Sequence, residues 1–145
     1  MNQNNQIICS ELGLLLANIK NKMRNKMNES LKPYGLTAEQ RAILLILSER
    51  KSLTQAELCN LTSMVASNLS TTLKRIESKN YIKRIPHPTD PRAYLVELTE
   101  QSIEIINILK DLGNQIRSEM LNNIDIEELK ITCKVLNSIN MNLKD

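Results

Sequence analysis

Apolar residues along most of this chain recur at steps of three and four, the spacing of one face of an α-helix. Leu12, Leu16, Ile19, Met23 and Met27 form such a stripe, and Ser10 stands where a side-chain cap would open a helix over 10–31. Pro33 and Gly35 in "LKPYGLT" break that helix, and Thr37 is placed to cap a second one carrying Gln40, Ile43, Leu44 and Leu47 on one face. Thr54, with Glu57 three residues on, has the pattern of a capping box and starts a short third helix, "TQAELCN". After a brief "LTS", a fourth helix is predicted over about 64–79, with Val65, Leu69, Leu73 and Ile76 on its buried face.

The period then changes. Tyr94, Val96 and Leu98 alternate as in a half-buried strand, and together with 82–85 they predict a hairpin. Its tip, "PHPTDPRA", holds three prolines, one histidine, one aspartate and one arginine. Two long helices follow, about 100–121 and 125–143, the second announced by Asp125 and Glu128. In that last helix Ile126, Leu129, Cys133, Leu136, Asn140 and Leu143 make a narrow seam suited to a partner helix. A lone chain would leave the seam open, so a homodimer is expected.

A short helix, a tight turn and a second helix make a helix-turn-helix, and a hairpin directly after it makes the winged version. The alternative is a plain helical bundle. The expected fold is therefore mainly α with a small β-hairpin wing (α+β), a winged helix-turn-helix with N- and C-terminal dimerisation helices. Residues 1–145 form one domain, with 32–99 as the winged lobe and 1–31 and 100–145 as the dimerisation helices.

The polar side of the fourth helix points to the chemistry. Ser67, Asn68, Ser70, Thr71, Lys74, Arg75 and Ser78 lie off its apolar face, and its only acid is Glu77 near the end. An ordinary exposed face alternates Glu with Lys. Hydroxyls, an amide and cations without acids suit base edges and phosphates in a major groove. On the wing, Lys83, Arg84 and His87 can meet phosphate, and Arg92 can enter a minor groove. Asp90 would oppose DNA unless it orients a cation. Double-stranded DNA is thus the expected partner.

Composition narrows the classes. With 145 residues, 41% hydrophobic and 24% charged, the chain fits one soluble globular domain. It has no Trp, no Phe and three Tyr, so aliphatics build the core and base stacking on single strands is disfavoured. The net charge is +3, but residues 31–99 carry ten Lys and Arg against six Asp and Glu, while 100–145 carry five against eight. A basic middle beside an acidic tail fits a middle that meets an anion, though charge alone also fits ordinary solvated surface. No apolar run approaches membrane-spanning length and no secretion signal opens the chain, so no membrane partner and a cytoplasmic location are expected. The single His87 and the scattered Cys9, Cys59 and Cys133 form no metal set, and no phosphate loop or nucleophile elbow appears. No cofactor and no enzyme activity are expected.

Four spaced segments, "LTAEQRAILLIL", "LTQAELCN", "LKRIESKNYIKR" and "DPRAYLVELTE", resemble in register the signature segments of the MarR family of bacterial transcriptional regulators. The resemblance runs from about Leu36 to Glu100. It implies a homodimeric repressor that binds pseudo-palindromic DNA, its fourth helix in the major groove and its wing arginine in the minor groove. It also implies release by a small aromatic or lipophilic effector between the dimer region and the lobe, in a cleft at Leu15, Ile19, Ile43, Leu47 and Ile105. Where the family's wing reads Asp-Arg-Arg, Pro91 takes the middle place, so Asp90 and Arg92 alone carry over. Thr71 stands where an Arg is frequent, and Asn80 where a glycine is usual. Cys9 is similar in position to the thiol of the family's peroxide-sensing branch, but "SELGLLL" follows it without the accompanying Phe and Tyr. Cys9 is therefore read as a half-buried packing thiol, and Cys59 and Cys133 as core. Redox sensing through Cys9, and a helical interaction module whose wing no longer binds DNA, are the alternatives.

Overall fold

Reciprocal caps set where the helices of the winged lobe begin. The Thr37 hydroxyl oxygen accepts from the Gln40 amide at 3.3 Å, and the Gln40 side chain accepts from the Thr37 amide at 3.1 Å. Thr54 and Glu57 repeat the exchange at 3.2 and 2.7 Å. Each box satisfies two backbone donors that a helix start leaves orphaned. In the computed structural model, which describes residues 1–143, the order is α1 (Gln3–Leu31), a 3-10 turn (Lys32–Tyr34), α2 (Ala38–Arg50), β1 (Ser52–Thr54), α3 (Gln55–Thr62), α4 (Ala66–Ser78), β2 (Ile82–Pro86), β3 (Tyr94–Leu98), α5 (Ser102–Met120) and α6 (Ile126–Asn142). Residues 144 and 145, the end of the expected dimerisation segment, lie outside the described residues.

Three expectations are corrected. The first helix begins at Gln3 under an Asn2 cap, and the Ser10 hydroxyl donates back to the Gln6 carbonyl inside it. Val65 is the extended residue before α4 and is 62% exposed, because the helix starts one residue after it. A third strand, β1, pairs with β3, setting Leu53 opposite Val96 in a sheet of order β1-β3-β2. Three residues with one apolar position carry no readable alternation, so the sequence did not reveal this strand.

The core lies between α2, α4 and the inner face of the sheet, with Leu44, Leu69, Leu73, Ile76 and Val96 at 0% exposure. Burying each such side chain stabilises the fold by about 1.5–3 kcal/mol. Leu31 and Leu109 extend the core to α1 and α5. Asn80 takes the left-handed conformation (φ 61°) on the way into β2, a position that Asn tolerates.

The lobe is tied to α5 by Arg41, whose Nε donates to the Leu109 carbonyl at 3.1 Å. A Cβ at Gly113 would collide with Nη2 of Arg41, so this mid-helix glycine makes room for the guanidinium. Burial, and then the nearby Arg117, hold Arg41 below the usual guanidinium value. Farther out, α6 has no buried residue: Ile131 is 63% and Val135 51% exposed. Ile7, Ile8, Leu14 and Leu15 on α1 are exposed as well. Among the described residues, no helix is long and apolar enough to cross a membrane.

Candidate nucleic-acid interface

The turn from α3 to α4 passes through Ser63 in the left-handed conformation (φ 57°), which lets two helices meet at an angle within a few residues. Leu69, Leu73 and Ile76 anchor α4 inward. That anchoring leaves Ser67, Asn68, Thr71, Lys74 and Arg75 exposed on the outer side, with Ser70 half-buried at its margin. The Thr71 hydroxyl donates to the Ser67 carbonyl at 3.1 Å and Thr72 to Asn68 at 2.8 Å. Their protons are used within the helix, so toward solvent they offer lone pairs. The face thus combines hydroxyl acceptors, an amide and two cations.

Glu77, the one acid of α4, is held by Arg84, whose Nε donates to its carboxylate at 3.0 Å. Arg84 also donates to the Tyr94 hydroxyl and lies over the Tyr94 ring, 4.6 Å from its centroid. Sequence reasoning placed Arg84 against DNA. Its side chain is 24% exposed and committed to these groups within the lobe. Lys83, on the opposite face of the same strand, is exposed.

The wing tip is ordered by its own side chains. Nδ1 of His87 accepts from the amides of Thr89 at 3.2 Å and Asp90 at 3.0 Å. In the neutral ring, that acceptor role leaves the proton on Nε2. Asp90 accepts from the Arg92 amide at 2.9 Å, closing an Asx turn. Asp90, expected to orient a cation, here accepts from a backbone amide and so shapes the turn that presents Arg92. Arg92 itself is exposed. Glu57, at the start of α3, has its carboxyl held below the ordinary range by the Thr54 amide and then by the Thr54 hydroxyl. Sequence reasoning missed Gln55 and Tyr94. The Tyr94 hydroxyl donates to Gln55 at 2.8 Å, and Gln55 donates to the Ala66 carbonyl at 3.3 Å. Nothing in the linear pattern marks a glutamine and a tyrosine 39 residues apart as a pair.

The expected effector residues do not share one opening. Ile43 and Leu47 are core residues at 0% and 1% exposure and Ile105 is buried, because α2 packs its apolar face into the lobe. Leu15 and Ile19 lie exposed on α1. An opening that does include Ile19 is an apolar groove of about 260 Å³ between α1 and α5, lined also by Met23, Ile116 and Met120. The cysteines differ from expectation too: Cys9 and Cys133 are exposed and Cys59 alone packs partly on the core.

Residues 34–93, spanning α2 through the wing tip, match the model of the MarR family. The chain is 30% identical over 126 residues to the multiple antibiotic resistance protein MarR of Escherichia coli, covering 86% of each. The chain belongs to the MarR family. It is accordingly a winged-helix transcriptional regulator. The HTH-type transcriptional regulator SarZ of Staphylococcus epidermidis is 28% identical over 124 residues, 86% of this chain and 82% of that one. A crystal structure of a mutant E. coli MarR complexed with operator DNA superposes with a TM-score of 0.83 at 28% identity, covering 96% of this chain and 99% of that one.

Proposed function

We propose that this MarR-family protein is a homodimeric repressor that binds pseudo-palindromic operator DNA. In this reading α4 enters the major groove, with Asn68, Ser67, Ser70 and Thr71 toward base edges and Lys74 and Arg75 toward phosphates. Arg92 enters the adjacent minor groove, Lys83 meets backbone phosphate, and His87 and Asp90 hold the tip that carries Arg92. The observation that carries the reading is the outward face of α4: cations, an amide and hydroxyl acceptors, with the single acid tied back to Arg84. The operator complex of the E. coli relative supports it. The uncovered apolar faces of α1 and α6 support the dimer. A small lipophilic effector, in turn, suits the apolar groove beside Ile19 and Met23.

Titrating duplex DNA at stepped salt concentrations tests the central claim. Contact with several phosphates makes log affinity fall linearly with log salt, by about 0.9 for each phosphate neutralised. Binding that is absent, or indifferent to salt, would instead favour an interaction module without DNA.

A further inference from the structure

We propose that Tyr94 is a positioning residue for DNA recognition, its hydroxyl fixing the wing against the recognition helix through Gln55 on one side and Arg84 on the other. The inference rests on the reading of α4 and the wing as the two DNA-contacting parts. It adds what sets the distance between them.

The relay runs in one direction without a gap. Arg84 Nη1 donates to the Tyr94 oxygen, the Tyr94 proton goes to Gln55 Oε1, and Gln55 Nε2 donates to the Ala66 carbonyl. Each of these three donors finds an acceptor, so the amide of Gln55 has one sensible orientation, and such chains strengthen by mutual polarisation. Arg84 meanwhile donates to Glu77, at the far end of α4. Both ends of the recognition helix are therefore tied to the hairpin strands of the wing, Ala66 at the start and Glu77 near the finish.

The placement of these ties separates orientation from folding. Apolar burial of Leu69, Leu73, Ile76, Ile82 and Val96 already holds α4 on the sheet. Ladder pairing from Ile82–Leu98 to Pro86–Tyr94 already holds the hairpin together. The relay adds a link between two places the duplex must meet at once. Ala66 precedes Ser67 and Asn68, the first side chains of the outward face, and Tyr94 stands two residues after Arg92. A site held by rigid neighbours meets a preformed target with less ordering on binding.

Tyr94→Phe is the direct test, because Phe keeps the ring under Arg84 and removes the hydroxyl. Affinities of the full-length protein for an operator duplex and for a random duplex of equal length would be compared with the parent. The expected result is a roughly three- to tenfold loss on the operator, the scale of a net hydrogen bond or a little more. Random-duplex affinity and salt slope should stay unchanged. Gln55→Ala should reproduce the loss without touching the hairpin, which keeps the test valid if Tyr94→Phe folds poorly. In either background Arg92→Ala should cost less than in the parent, since a mispositioned arginine has less to lose. Operator and random affinities that fall together, or an unchanged operator affinity, would overturn the proposal. So would an Arg92→Ala penalty equal in all backgrounds. If Arg92→Ala is silent in the parent, the wing reading itself fails and the positioning role goes with it.

Discussion

Arg92 and Asp90 divide one task between a side chain and a backbone. Arg92 is exposed and free to enter a groove, while Asp90 spends its carboxylate on the Arg92 amide. Arg92→Ala should weaken operator binding by about 1–3 kcal/mol in a titration with unchanged dimer mass. Asp90→Ala should cost less, since it loosens the turn and also removes a negative charge from the interface. Lys83→Ala should weaken operator and random DNA equally and lower the salt slope by about 1. Gly113 offers a residue-scale test of packing. Gly113→Ala gains helix propensity but displaces the Arg41 guanidinium and its bond to Leu109. The two effects oppose at about 1 kcal/mol each, so the single variant should unfold near the parent midpoint. In an Arg41→Ala background, where nothing obstructs the methyl, the same change should stabilise by up to about 1 kcal/mol in urea.

At the scale of elements, α3 is eight residues long and depends on its cap. Glu57 serves that cap as a carboxylate, and its pKa is lowered chiefly by the Thr54 amide and then by the Thr54 hydroxyl. A carboxyl depressed in the folded state stabilises above its unfolded value, about 4.3 for Glu, and that contribution is lost as pH falls through the lower folded value. Urea midpoints of the parent and Glu57→Ala should therefore differ by a constant amount at neutral pH. The gap should narrow as pH drops below the unfolded value. A gap that stayed constant down to strong acid would mean the charge contributes nothing to the cap.

For the whole molecule, the decisive feature is apolar surface that one protomer does not cover. α6 has no fully buried residue, and Ile131, Val135 and Leu15 are all more than half exposed. A second copy related by a two-fold axis would cover these faces. Light scattering at micromolar concentration should give twice the chain mass. Ile131→Glu with Val135→Glu should give the monomer and abolish operator binding together. Two recognition helices in such a dimer sit about 34 Å apart, so footprints should show half-site centres separated by roughly ten base pairs or a small multiple. Protection of one short site by one protomer would contradict this.

Local chemistry was legible in the sequence wherever a short-range rule decides structure. The Thr37 cap, the capping box at Thr54, the three-and-four spacing in α2 and α4, the alternation of Tyr94, Val96 and Leu98, and the left-handed Asn80 all depend on neighbours within a few residues. The signature segments from Leu36 to Glu100 were legible for the same reason, and with them the outward face of α4. Long-range partners were not. β1 exists because β3 pairs with it, and Val65 is exposed because the α3–α4 turn delays the helix. Ile43 and Leu47 became core because the sheet and α4 close over them, and Arg84 turned inward because Glu77 and Tyr94 are folded beside it. Periodicity reports which face of an element is apolar, whereas burial and hydrogen-bond choice depend on what distant segment arrives opposite. Only the tertiary structure brings Gln55, Tyr94 and Ala66 into one relay.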